Sequence, residues 1–107
     1  MNSMAKQSNA WKDFERRVAK DLGGARGGPT GFNTPDVIGL PVPFAPECKY
    51  MQTLSLRKAH VEQARKNARG KPWGLFLQEA KTSQRLVVLE YETFLTMWDA
   101  YTTEKKD

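Results

Sequence analysis

Cysteine is almost missing from this chain: Cys48 stands alone among 107 residues. No intrachain disulfide can form, and a Cys-rich zinc site has no ligands to draw on. That usage suits a reducing compartment, and a cytoplasmic location is expected. Histidine is as scarce, with His60 the sole example, at a helical position better suited to packing than to base catalysis. Long apolar runs are lacking too. The longest falls far short of the ~20 residues a membrane span needs, and the opening MNSMAKQSNAWK has no apolar stretch of the kind a signal peptide carries. There is no zinc-finger ligand pattern, no P-loop and no internal repeat. Acidic residues are the minority, 12 against 17 Lys and Arg, for a formal charge of +5. That balance favours a polyanionic partner.

What is present is enough for one small domain over 1–107 with one modest core. Trp11, Phe14, Val18 and Leu22 recur at helical spacing and predict an amphipathic helix over 9–22, capped by Ser8 or Asn9 and ended by Gly23-Gly24. Residues 23–34 form a Gly-rich segment, with five glycines in 23–31, expected to be a mobile loop carrying Arg26 and Asn33. DVIGL (36–40) and FAPECKY (44–50) read as two strands, antiparallel across the Pro41-Val42-Pro43 turn, with an edge or bulge at Pro46. A basic helix over 55–69 is expected to be capped by Ser55. WGLFLQE (73–79) and RLVVLEY (85–91) read as interior strands. A last helix over 93–101 should turn Phe94, Met97, Trp98 and Tyr101 inward. Trp73 and Trp98 are expected in the core, and 1–8 and 102–107 are expected to be flexible tails. The result is an α/β fold, a mixed β-sheet flanked by helices in the order α-β-β-α-β-β-α.

Chemistry concentrates in TPDVIGLPVPFAPECKY (34–50), where Asp36, Glu47 and Lys49 interrupt the most apolar part of the chain. Buried charges are costly unless paired or bound to a metal. Side chains two apart on a strand share a face, so Glu47 and Lys49 point the same way. A short turn brings Asp36 opposite Glu47. Two carboxylates and an ammonium suit a hard divalent cation that keeps several waters and takes a substrate phosphate, with the Cys48 backbone carbonyl as a further ligand. Glu15 borders the apolar face of the first helix and adds a third carboxylate. Glu-x-Lys alone says little. About 0.4 copies are expected by chance, and three occur, at Glu47-Lys49, Glu79-Lys81 and Glu104-Lys106. Only the first follows a Pro-Asp at a strand start and precedes a basic helix.

Glu15, then Pro35-Asp36, then Glu47-Cys48-Lys49, then a helix with Gln63, resembles the PD-(D/E)xK nuclease superfamily. The chain's size, its helix-first order and the Gly-rich segment before the aspartate look most like archaeal-type Holliday-junction resolvases, a form also carried by phages. The resemblance runs over roughly residues 9–98. It implies a restriction-endonuclease-like fold, with Asp36 and Glu47 as metal-binding carboxylates, Lys49 as the catalytic lysine and Glu15 as an assisting acid at the metal. Gln63 matches a helix glutamine of related nucleases. The family's loop serine is absent here, and Thr30 or Thr34 must stand in for it.

The expected activity is therefore magnesium-dependent hydrolysis of phosphodiesters at four-way DNA junctions, in recombination or repair, with manganese able to substitute. The host cytoplasm is the expected location if the chain is phage-encoded. Basic clusters flanking the acidic site, among them Lys12, Arg16, Arg17, Arg26, Arg57, Lys58, Arg65, Lys66, Arg69 and Lys71, offer contacts for backbone phosphates without reading sequence. Thr30 and Asn33 of the loop join that surface. A homodimer follows from the resemblance, with the last strand or helix as its natural interface. The competing readings are another nuclease of the superfamily, such as a repair or restriction-type nicking enzyme, and a non-catalytic basic DNA-binding module.

Overall fold

The computed structural model describes residues 2–27 and 35–106. Thr30, Asn33 and Thr34 lie outside the described residues. The fold is mixed α/β. In chain order it runs α1 (Asn2–Leu22), β1 (Ala25–Arg26), β2 (Val37–Ile38), β3 (Ala45–Met51), α2 (Lys58–Ala68), β4 (Trp73–Glu79), β5 (Arg85–Leu89) and α3 (Tyr91–Lys106).

α1 starts well before the expected cap at Ser8 or Asn9, because Ala5, Lys6 and Gln7 favour helix and no Gly or Pro interrupts them. It ends where expected. Gly23 takes a positive φ of 82°, and the amides of Gly23 and Gly24 turn back to the carbonyls of Lys20 and Ala19. The segment expected to be loop alone contains β1, which pairs antiparallel with β2 in the register Ala25–Ile38 and Arg26–Val37. A side chain at Gly24 would strike the Ile38 carbonyl oxygen at 2.5 Å, so glycine permits that approach.

The expected hairpin between 36–40 and 44–50 is not formed. β2 pairs with β1, and Asp36 N donates to Pro46 O at 3.1 Å across to β3. Pro41, Pro43 and Pro46 remove three donors from the segment, so an antiparallel ladder could not close there. β3 instead pairs parallel with β4, and β4 antiparallel with β5, giving a three-stranded sheet in the order β3-β4-β5. Pro46 lies in an edge strand, as expected. Its missing donor falls on the side away from β4, where no ladder bond is lost.

The two faces of this sheet build two cores. Ala45, Trp73, Leu75 and Leu77 pack on Ala64 and Ala68 of α2. Cys48 and the flanking Phe76 meet Phe14, Val18 and Ala19 of α1, with Val37 of β2. α2 begins at Lys58, with Arg57 as its cap residue and no side-chain bond there. Ser55 instead points its amide at Met51 Sδ, 3.3 Å away, so it does not cap the helix. Arg69, left-handed at φ 52°, ends the helix before Gly70.

β5 stops at Leu89, and α3 begins at Tyr91 and continues through the expected tail to Lys106. α3 does not turn its aromatics inward. Tyr91, Phe94, Met97, Trp98 and Tyr101 are between 48 and 73 % exposed. Of the two tryptophans expected in the core, Trp73 is buried and Trp98 is not. α3 leans on the body only lightly, and a groove of about 800 Å³ opens between it and Leu40, Phe44, Phe76 and Val87. No helix among the described residues is long and apolar enough to cross a membrane.

Candidate active site

The site grows from the outer edge of β3. Along a strand, backbone amides point alternately toward one neighbour and the other. Pro46 and Cys48 face away from β4. Their outward groups are taken up by Asp36: its amide donates to Pro46 O, and its carboxylate Oδ2 accepts from Cys48 N at 2.7 Å. Gly27 N donates to Asp36 O at 2.7 Å and fixes the residue from the other side. By strand alternation the Cys48 carbonyl belongs to the same outward edge.

Glu47 and Lys49 leave β3 on its α2 face. Their charged ends are 3.7 Å apart. α2 supplies two amides at i,i+4 spacing to hold them: Asn67 Nδ2 donates to Glu47 Oε1 at 3.1 Å, and Lys49 Nζ donates to Gln63 Oε1 at 2.7 Å. Gln63 therefore has a contact as well as a position. Asn67 is buried and was not singled out from sequence; lying one turn after Gln63 on the same helix face is the signal that could have found it. Glu15 approaches from the α1 face, buried beside Phe14, and accepts from Arg26 Nε at 2.7 Å.

Burial raises the pKa of all three carboxylates. For Glu15 it outweighs the hydrogen bond from Arg26, and the nearby Asp36 charge pushes the same way. For Asp36 it outweighs the Cys48 amide and the charges of Lys49 and Arg26. For Glu47, burial and then Asp36 outweigh Asn67 and Lys49. The mutual influence of Glu15, Asp36, Glu47 and Lys49 places the four groups in one electrostatic neighbourhood. The Cys48 thiol is driven strongly upward by burial and by the same carboxylates, so it stays protonated and is no nucleophile. His60 lines a cavity of about 420 Å³ with Lys49, Ser55 and Arg57. Burial, then Lys49 and Arg57, lower its pKa and favour neutral imidazole, whose Nδ1 is buried without a partner.

No group of three or more His, Cys, Asp or Glu side chains able to hold a metal occurs among the described residues. The Asp36 charge acts on both Glu47 and Glu15, and Glu15 is engaged by Arg26. Two carboxylates and a carbonyl fit magnesium, which usually keeps waters and takes only one or two protein carboxylates. Their raised pKa values fit as well, since desolvated anions gain most from a cation.

Among the expected phosphate contacts, Arg57 borders the Lys49 cavity and Lys58 is exposed at the start of α2. Lys12 and Arg26 both lie over the Trp11 ring. Arg16 is exposed and paired with Asp13 at 2.9 Å. Arg65 stands over Trp73 and 3.8 Å from Glu90, on the side of α2 facing the β5–α3 junction. Compared with known proteins, the chain matches no family model, no curated protein and no solved structure.

The raised carboxylates predict a pH-dependent stability. The native site keeps its protons to higher pH than the unfolded chain. Its contribution is complete below the unfolded carboxylate pKa, 3.8 for Asp36, and is lost as pH rises through the raised values. Asp36→Asn removes one buried charge and keeps an oxygen for Cys48 N. In metal-free buffer its Tm should match wild type near pH 4 and exceed it at pH 8. Thermal melts across that range test this; a pH-independent difference would contradict it.

Proposed function

We infer that the chain is a metal-dependent endonuclease acting on branched DNA, with a four-way junction as its preferred substrate. The observation that carries the reading is the gathering of Asp36, Glu47 and Lys49 around the outer edge of β3, with amides of α2 dedicated to holding Glu47 and Lys49.

Asp36, Glu47 and the Cys48 carbonyl would hold magnesium, with Glu15 as a helper once Arg26 releases it. Magnesium supplies a lowered pKa for a bound water and offsets charge on the phosphate. Lys49, fixed by Gln63, orients the attacking water and steadies the charge that develops on the phosphoryl oxygens. Water adds to phosphorus, the bond to one ester oxygen breaks, and the products are a terminal phosphate and a hydroxyl. Arg26, Arg57, Lys58 and Lys12 would supply contacts for backbone phosphates, and such contacts recognise shape before sequence. The exposed apolar face of α3 supports a homodimer, which would present two sites to a two-fold junction.

The test is cleavage of a synthetic four-way junction against linear duplex of the same sequence, with magnesium, with manganese and with EDTA. Metal-dependent cutting with a strong preference for the junction is expected. Equal cutting of both substrates would favour a nicking enzyme of the same superfamily. Tight binding without cutting in any metal would leave a DNA-binding module.

A further inference from the structure

α1 and the far end of β3 leave an open cavity of about 600 Å³, walled by Ala10, Trp11, Tyr50, Gln52 and Lys81. Trp11 shares the helical stripe of buried Phe14 and Val18, yet it is 41 % exposed. Two cations attend its ring, Arg26 Cζ at 5.4 Å and Lys12 Nζ at 5.6 Å from the centroid. Arg26 also grips Glu15 at 2.7 Å, so a single guanidinium links the indole to the acidic site. The cavity holding Lys49, Arg57 and His60 shares Tyr50, Met51 and Gln52 with this one. Both hollows border the end of β3, the first on its α1 face and the second on its α2 face.

We propose that the Trp11 cavity receives an unpaired nucleobase of the DNA strand being cut. The inference rests on the nuclease reading above. An accessible aromatic face stacks any base, and a cationic rim of Lys12, Arg26 and Lys81 tracks the flanking phosphates. Among the described residues, the lining carries Lys81 and no carboxylate. Gln52 offers both a donor and an acceptor for a base edge. A paired base must first be unstacked and unpaired, at a cost of a few kcal/mol, so the cavity favours DNA that is already open at a branch point or flap.

The test uses the full chain carrying Asp36→Asn, so that DNA is bound and not consumed, and junctions with one 2-aminopurine placed in turn at each nucleotide around the branch. One position should change its fluorescence sharply on binding. Trp11→Ala should abolish that change and weaken binding about tenfold, while Trp11→Phe preserves both. An abasic nucleotide at that position should cost the Asp36→Asn protein the same tenfold and cost the Asp36→Asn/Trp11→Ala protein nothing further. No responsive position, or abasic and Trp11→Ala losses that simply add, would overturn the proposal. Should Trp11→Ala not fold, the abasic series against the Trp11→Phe protein still decides it: loss of affinity at one position supports it, and indifference at every position refutes it. Cleavage by the wild-type chain is scored separately, so metal-dependent cutting without a stacked base removes only this inference, and a stacked base without cutting removes only the nuclease.

Discussion

Asp36→Asn should lower the rate of junction cleavage by at least a thousandfold while leaving junction affinity unchanged or tighter. Among the described residues Asp36 makes no salt bridge, though the charges of Lys49 and Arg26 reach it. Its carboxylate spends one oxygen on the Cys48 amide and keeps the rest of its lone pairs for whatever occupies the β3 edge. Asparagine can keep the amide contact and loses the charge that would hold magnesium, so the fold survives and the metal does not. Losing a metal-held water and the charge stabilisation at phosphorus removes several kcal/mol of barrier lowering, and each ~1.4 kcal/mol is a factor of ten. Glu47→Gln should behave alike, with one difference. Glu47 is held by both Asn67 and Lys49, and glutamine would free Lys49 to turn wholly to Gln63. Affinity should hold or rise because each change removes one negative charge beside the phosphates. Single-turnover cleavage and equilibrium binding, measured on the same junction, check both halves. If either variant cuts at near wild-type rate, the acidic cluster is structural and the enzyme reading fails.

The centre of this site was legible in sequence because strand geometry is rigid. A two-residue period puts Glu47 and Lys49 on one face whatever the rest of the chain does, and a Pro-Asp before an apolar run had few places to go. The route by which Asp36 arrives was not legible. The hairpin expected across Pro41-Val42-Pro43 gives way to β1–β2 pairing, since the prolines lack donors and Gly24 admits a backbone approach that no local pattern announces. Asn67 escaped notice because its role depends on which face of α2 meets the sheet, and α2 has few apolar residues to declare it. Arg26 was placed on a loop facing DNA; the structure pairs it with Glu15 and lays it over Trp11, long-range contacts that spacing cannot reveal. α3 was misjudged for a different reason. Its aromatic stripe does mark an apolar face, and periodicity identifies such a face without saying whose surface covers it.

That uncovered stripe leads to the second large effect: the chain should sediment as a dimer, near twice its 12.2 kDa, and Phe94→Glu with Trp98→Glu should make it a monomer. Aromatic side chains bury ~150–250 Å² each. Half of that, over Tyr91, Phe94, Met97, Trp98 and Tyr101, is ~500 Å². That is over half of the ~800 Å² per partner of a stable interface and at the upper end of the ~300–600 Å² of the largest patch on a typical monomer. Val87 of β5, 52 % exposed, lies across the groove from α3. Phe94 and Trp98 stack with centroids 6.0 Å apart and form the middle of the stripe. Removing both faces from a two-fold contact counts twice. At ~25 cal/mol per Å² over ~400 Å², the loss is ~10 kcal/mol before the costs of association are credited back. A micromolar or tighter dimer would then be undetectable at any workable concentration. Since both side chains are half-exposed in the single chain, the variant's own fold should persist, and its circular dichroism should match wild type. A wild-type chain that stays monomeric at 100 µM would show that the stripe is not covered by a second copy. The cutting pattern offers a further check: a dimer with two sites makes paired incisions within one binding event, whereas the monomeric variant should release singly nicked junctions, with Asp36, Glu47 and Lys49 still in place.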